Sequence, residues 1–308
     1  MKIAVLGAGA MGGLYSSYLS KKNDVIVVDV NASLVEKVNT TGLEVVEPDG
    51  SSTLYHPRAI TGAKASDGHV DVVIVFVKAM YTQSALEANR SLIGKNTYLM
   101  TLQNGSGHED TLKEYVDDEH VIIGTTQHNA SIAALGVTRH GGSGLTHLGC
   151  IKGDVKRLQP IADAFTACGI TCDVSDGVQK LIWNKMFTNV SASVLTGILQ
   201  VPLGYIVTDV DAWDLCTHLI QETVDVAKAL GMGFDYEEKC AEVKGVCERS
   251  PQGLTSIYAD LKNHRKSEVD TISGSVVRAG LKAGIPTPCH SFVVRLVHAM
   301  EGRPRATS

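Results

Sequence analysis

Gly7, Gly9 and Gly12 stand at the spacing G-x-G-x-x-G, directly after the apolar run Lys-Ile-Ala-Val-Leu. A strand that turns at once into a helix leaves N–H groups pointing outwards, and a diphosphate can satisfy them. Gly7 permits the tight turn, Gly9 lets the backbone approach a pyrophosphate, and Gly12 lets the helix lie close on the strand. Ala8, Ala10 and Met11 complete the cradle. Asp29 ends a second apolar run about 20 residues beyond the motif, where dinucleotide folds place the acid that accepts from ribose hydroxyls. A plain strand-to-helix connection is the weaker reading, because strand, turn, helix, strand and acid come in order.

Two polar residues directly follow strand-like runs and so fall on the same sheet edge: Lys78 after Val70–Val77, and Asn104 after Tyr98–Leu102. Taken singly, a surface lysine and a turn-forming Asn-Gly pair account for them. Further along, Lys185, Asn189 and Ser193 are spaced i, i+4, i+8 on one predicted helix, with Ile182, Met186, Val190 and Val194 as an adjacent packing stripe. Such a polar line is commonly the wet side of an amphipathic helix. A cation, an amide and a hydroxyl are also what a 2-oxo acid requires, and a desolvated lysine can protonate a developing alkoxide. A second line, Ser256, Asp260, His264 and Glu268, exists if its helix is continuous; read alone, it is a solvated charged face.

The elements that must carry these residues alternate strand-like and helix-like segments through the first half, which predicts an α/β, doubly wound, mostly parallel sheet over residues 1–175. The Gly-punctuated stretch from Gly136 to Cys150 predicts an antiparallel extension of that sheet. Residues 176–308 read as an all-α domain with helices over Gln179–Leu199, Ala212–Leu230, Glu237–Glu248, Thr255–Arg278 and His290–Met300. Gly231 and Gly284 suit C-caps, and Pro286 and Pro288 break the chain before the last helix.

At 308 residues the chain has room for about two domains. A net charge of -5 without a basic run argues against nucleic acid as the main partner. No apolar stretch approaches a membrane span and the first segment lacks the features of a leader, so no membrane partner and a cytoplasmic location are expected. The seven cysteines make no disulfide framework, and the eleven histidines show no metal spacing, so reduced thiols and no metal are expected.

Taken together, Gly7-Ala-Gly-Ala-Met-Gly12, Val77-Lys78-Ala79, Gln103-Asn104-Gly105, Gly124-Thr-Thr-Gln-His-Asn-Ala130, Thr146-His-Leu-Gly149, Trp183-Asn-Lys185-Met-Phe-Thr-Asn189 and Glu268-Val-Asp-Thr-Ile-Ser-Gly274 resemble the ketopantoate reductase family. The resemblance spans essentially the whole chain, in order. It implies a Rossmann domain followed by a helical substrate and dimerisation domain, with the active site in the cleft between them, and a reductase that turns a 2-oxo acid into a D-(R)-2-hydroxy acid. It further implies that Lys185 is the general acid and that Asn104 orients substrate and cofactor. Glu268 would bond the nicotinamide end and support Lys185. Lys78 and Ala130 match cofactor contacts, and Asn189 and Ser256 match substrate positions.

Three departures qualify what the resemblance implies. Many family members carry an arginine near the end of the second strand, facing a 2′-phosphate, whereas this chain has Asp29-Val30-Asn31. A carboxylate repels that phosphate and accepts from a free hydroxyl, so NADH is expected to be preferred, with NADPH admitted. Ser193 replaces a second asparagine and Leu203 a further one, which weakens recognition of the C4 hydroxyl of ketopantoate. A branched-chain or aromatic 2-oxo acid suits a Ser/Leu pocket better. Two other readings stay open: a related dehydrogenase acting on an alcohol or imine, and a dinucleotide-binding sensor without turnover. Retention of Lys185, Asn104 and Glu268 speaks against the sensor. A homodimer is compatible with a helical second domain.

Overall fold

The computed structural model describes residues 1–303. The chain divides into two compact units, one comprising Met1–Gln103 and His108–Leu181, the other Asn104–Gly107 and everything from Ile182 onward. Twelve strands are formed in the first unit: β1 (Lys2–Leu6), β2 (Asp24–Val28), β3 (Leu43–Val46), β4 (Ser52–Tyr55), β5 (Arg58–Ile60), β6 (Val72–Val75), β7 (Tyr98–Thr101), β8 (Val121–Thr126), β9 (Asn129–Ala134), β10 (Val137–Gly142), β11 (Thr146–Cys150) and β12 (Cys172–Val174). Helices α1 (Ala10–Leu19), α2 (Ala32–Thr40), α3 (Thr82–Ala88), α4 (Glu109–Leu112) and α5 (Gln159–Thr166) accompany them, and α6 (Val178–Thr188) begins there.

Eight strands make one sheet in the order β12-β11-β8-β7-β6-β1-β2-β5. From β8 to β5 all neighbours are parallel, and β11 runs antiparallel to β8. The central strands β1 and β6 are apolar runs because both of their faces are covered: Ile3, Val5, Val72 and Ile74 are fully buried. The expected antiparallel extension holds only for β11. β9 and β10 instead join β3 and β4 in a separate four-stranded sheet, ordered β4-β3-β10-β9.

Helix α1 packs on β1 and β2 of the large sheet and on β3, β4, β9 and β10 of the small one. A helix enclosed on both sides needs small residues and no polar face, and every residue of α1 from Gly12 to Leu19 is buried. Close approach is literal at Gly13, where a Cβ would lie 2.6 Å from the Thr138 hydroxyl.

The second unit holds the rest of α6, a π-helical turn over Asn189–Ser193, and α7 (Val194–Leu199), α8 (Leu203–Thr208), α9 (Val210–Ala229), α10 (Tyr236–Arg249), α11 (Ser256–Lys262), α12 (Ser273–Ala283) and α13 (Pro288–Glu301). Asp209, Asp235 and Thr255 cap α9, α10 and α11 by accepting from backbone N–H groups at 2.9, 2.8 and 3.2 Å. The 20-residue α9 turns Cys216, Leu219, Ile220, Thr223 and Val224 into the core of this unit. Gly284 caps α12 with φ +71°, and Pro288 opens α13, where a missing N–H costs nothing.

The helix expected over Thr255–Arg278 is broken. His264 takes a left-handed φ of +52°, and Arg265 N–H donates back to Asp260 O at 2.8 Å, a C-terminal cap that ends α11. Among the described residues, no helix is long and apolar enough to cross a membrane.

Candidate active site

The glycine turn has the geometry its spacing foretells. Gly7, at φ +91°, donates to Val28 O at 2.8 Å, and a Cβ there would lie 2.9 Å from Val77 N. A Cβ on Gly12 would lie 1.8 Å from Gly7 O, so only glycine lets the helix start this close. Around Gly9 nothing stands within 4 Å of a Cβ position, and no side chain caps α1. The N-terminus of α1, formed by Ala10 and Met11, therefore offers N–H groups and open space to a diphosphate.

Asp29 is built into this turn. Its Oδ2 accepts from Ala8 N–H at 2.8 Å and its Oδ1 from Asn31 N–H at 2.9 Å. Each carboxylate oxygen keeps a further lone pair, so the group can still accept from a sugar hydroxyl. Ala8, Gly9, Asp29 and Asn31 share a cavity of about 220 Å³. These residues fit a dinucleotide.

Lys78 is half-buried and opens a 3₁₀ turn over Ala79–Tyr81. The backbone before it is held by Gln103, a residue to which the sequence reading gave no role although it stands inside a quoted motif. Gln103 Nε2 donates to Val77 O at 2.6 Å and to Thr82 Oγ1 at 3.0 Å, while its Oε1 accepts from Thr101 Oγ1 at 2.8 Å.

Ala130 lies on β9 opposite His140 of β10. That pairing is fixed by a buried network: His140 Nδ1 is 2.7 Å from Glu47 Oε2, and His140 Nε2 is 3.1 Å from His128 Nδ1, with the imidazoles stacked at 5.2 Å. The Tyr18 hydroxyl of α1 donates to Glu47. Desolvation by burial, followed by the neighbouring His140, holds His128 below the ordinary imidazole value. Residues 18, 47, 128 and 140 are too far apart in sequence for any local pattern to reveal them.

In the second unit, the loop Asn104–Gly107 docks on the turn that follows Glu268. Ser106 N–H donates to Thr271 O at 3.0 Å, and Gly105, at φ +100°, comes so close that a Cβ would lie 2.0 Å from the same oxygen. Thr271 and Ile272 in turn donate to Glu268 O, both at 3.1 Å. Asn104 and Glu268 thus ride on adjoining loops. The line expected through Ser256, Asp260, His264 and Glu268 does not exist: the break at His264 separates Glu268 from α11, and Asp260 pairs with Arg265 at 3.3 Å.

Lys185 lies on α6. Its side chain is solvent-accessible, yet protein surrounds the ammonium densely enough that desolvation lowers its pKa from 10.5 to about 8. Accessibility lets a reactant reach it, and the crowding sets its proton affinity. Asn189 starts the π turn half-buried, and Ser193 ends it only 8% exposed. A π turn holds one residue more than an α turn, so the polar line rotates towards the interior as it proceeds. Ser193 O accepts from Thr196 Oγ1 at 2.7 Å and from Thr255 Oγ1 at 3.4 Å, which brings it near Ser256, the first residue of α11. Leu203 is buried in the helical core, its N–H donating to Gly253 O at 3.1 Å.

Comparison with known proteins follows the same division. The model of ketopantoate reductase PanE/ApbA matches residues 3–153, and that of its C-terminal region matches residues 177–301. The 2-dehydropantoate 2-reductase of Lactococcus lactis subsp. lactis strain IL1403 is 30% identical over 306 residues, covering 98% of each chain. Among solved structures, the ternary structure of D-mandelate dehydrogenase with NADH and anilino(oxo)acetate superposes with a TM-score of 0.89 at 31% identity, covering 98% of each chain. A PanE/ApbA family ketopantoate reductase from Ralstonia eutropha JMP134 gives a TM-score of 0.88 at 27% identity, again over 98% of each.

Proposed function

The chain belongs to the ketopantoate reductase family, and from that premise we propose that it reduces a branched-chain or aromatic 2-oxo acid to the D-(R)-2-hydroxy acid, with NADH preferred to NADPH. It is an oxidoreductase acting on a CH–OH group, and its cofactor is a nicotinamide nucleotide. Lys185 carries the reading: a lysine whose pKa lies near 8 is charged at neutral pH and can still give up its proton.

The N–H groups of the Gly7–Gly12 turn would hold the pyrophosphate, Asp29 would accept from the adenosine ribose, and Lys78 and Ala130 would add contacts. The bound nicotinamide supplies the hydride for C2 of the substrate. Lys185 Nζ delivers a proton to the carbonyl oxygen, so that hydride and proton together complete the new C–H and O–H bonds. Glu268 supports Lys185, and Asn104 orients the reactants. Asn189, Ser193, Leu203 and Ser256 would set the fit of the substrate.

The preference for NADH rests on the Asp29 carboxylate beside the turn, where it would repel a 2′-phosphate. The apolar substrate class rests on Ser193 and Leu203, and likeness to a D-mandelate dehydrogenase complex that holds NADH supports both choices. A homodimer built on the helical unit belongs to the same proposal; Phe292 and Leu215, 68% and 51% exposed, favour it, and sedimentation velocity reads it.

Steady-state rates with ketopantoate, a branched-chain and an aromatic 2-oxo acid, each with NADH and NADPH, test the proposal. The highest kcat/KM should come from an apolar acid with NADH. A higher value for ketopantoate with NADPH would overturn both choices at once. Tight NADH binding with no turnover on any 2-oxo acid would instead identify a sensor.

A further inference from the structure

The cavity beside Asp29 has a second wall that the glycine motif does not supply. Ala8, Gly9, Asp29 and Asn31 bound one side, and Ile132, Leu135 and Thr138 of the β9–β10 hairpin bound the other. Ile132 and Leu135 are 65% and 47% exposed although they are large and apolar. Asp29 is the sole charged residue among those lining the cavity.

The hairpin is held rigidly where it meets this cavity. Gly136, in the tight turn after Leu135, has a φ of +71°, and its carbonyl accepts from Glu44 N–H at 2.9 Å. A Cβ on Gly136 would lie 3.1 Å from Lys37 Cγ, so the stem of Lys37 on α2 braces the turn. One strand further in, Thr138 touches Gly13 of α1. The pair Ile132 and Leu135 is therefore a fixed apolar surface, set opposite the carboxylate that serves a ribose.

We infer that the β9–β10 hairpin is the adenine wall of the dinucleotide site, with Ile132 and Leu135 packing on the base while Asp29 takes the ribose hydroxyls. The inference rests on reading the glycine turn as a pyrophosphate cradle. A flat heteroaromatic base matches an apolar wall of two branched side chains, because it loses water from its faces on contact while its ring edge stays free for hydrogen bonds. A cavity whose sole charge is negative selects an adenosine with a free 2′-hydroxyl. Ile132 and Leu135 thereby become determinants of cofactor choice that act through the base and not through the reacting ring.

Binding by calorimetry, with no turnover involved, tests this on the intact chain. Ligands are NADH, ADP-ribose, which keeps the adenosine half, and reduced nicotinamide mononucleotide, which lacks it. Both residues are exposed, so Ile132→Ser/Leu135→Ser should keep the parent's circular dichroism and Tm. The variant should weaken ADP-ribose and NADH by about tenfold or more and leave the mononucleotide unchanged, while Ile132→Met/Leu135→Met should retain parental affinity. Parental affinity for ADP-ribose in the serine variant overturns the wall and leaves the pyrophosphate cradle standing. If the parent itself binds neither NADH nor ADP-ribose, the dinucleotide reading falls first and the wall with it.

Discussion

Raising the pH of the reductive assay from about 7 to about 9 should remove most of the activity, because the acid that completes the reaction is Lys185. An ordinary lysine, at 10.5, would be almost wholly protonated across that range. Desolvation has brought Lys185 to about 8. About nine-tenths of the molecules then carry the proton at pH 7 and about one-tenth at pH 9, so kcat/KM should fall roughly tenfold between them, with a limiting slope of about one decade per pH unit. The sign is fixed by the chemistry: the protonated form gives the proton, so activity is lost as pH rises through the folded pKa. Stopped-flow or steady-state loss of NADH absorbance reads the profile, and a primary isotope effect from deuterated NADH identifies the range where hydride transfer limits the rate. Lys185→Ala should lower kcat by about 10²–10⁴-fold, abolish the alkaline limb and leave the Kd for NADH within about twofold. An alkaline limb near 10.5, or one that survives in Lys185→Ala, would refute the assignment.

Three further outcomes follow from the geometry. Asp29→Ser with Asn31→Arg should raise the NADPH to NADH ratio of kcat/KM by about tenfold or more, since it removes the repelling carboxylate and adds a cation at the same place; an unchanged ratio would mean that the adenosine lies elsewhere. His290, fully buried with Nε2 3.0 Å from Leu219 O and 2.9 Å from Thr223 Oγ1, has its pKa lowered to about 4, chiefly by burial. Its unfolded form takes a proton near 6.5, so its contribution to stability is complete above that pH and is lost as pH falls towards about 4; Tm measured down this range should drop less steeply in His290→Gln. Glu222 of α9 accepts from the N–H groups of Cys289 and His290 at 2.7 and 3.0 Å, capping α13, and Glu222→Ala should cost about 1–3 kcal/mol in urea unfolding while Glu222→Gln recovers part of it.

The cofactor half of the site was legible because its signals are local. A glycine turn between a strand and a helix, and an acid one strand later, are short-range patterns with strict backbone reasons, and the Cβ clashes at Gly7 and Gly12 are those reasons made concrete. The parallel strands were legible as apolar runs for the same kind of reason. β3, β4 and β5 were not, since four-residue segments such as Leu43-Glu-Val-Val46 and Ser52-Thr-Leu-Tyr55 are too short to show a period, and their partner β10 lies about ninety residues further along. The helical half was misread where the pattern depends on tertiary contact. The run from Thr255 to Arg278 keeps its helical spacing, yet His264 adopts a left-handed cap that no glycine announces. Asn104 and Glu268 could be paired only by a fold that docks their loops through Thr271.

The extra residue in the π turn divides one helical rod into two registers. Upstream of Asn189, the angular position of Lys185 is set by α6 alone. Downstream of Ser193, α7 is phased so that Thr196 meets Thr255 at 2.8 Å. Deleting Ala192 would close the bulge and rotate everything after it by about 100° about the helix axis relative to what precedes it, carrying Thr196 away from Thr255 while leaving Lys185 where it is. The bulge thus works as a coupling that lets the reactive end of the rod be indexed independently of the end that is bolted into the core.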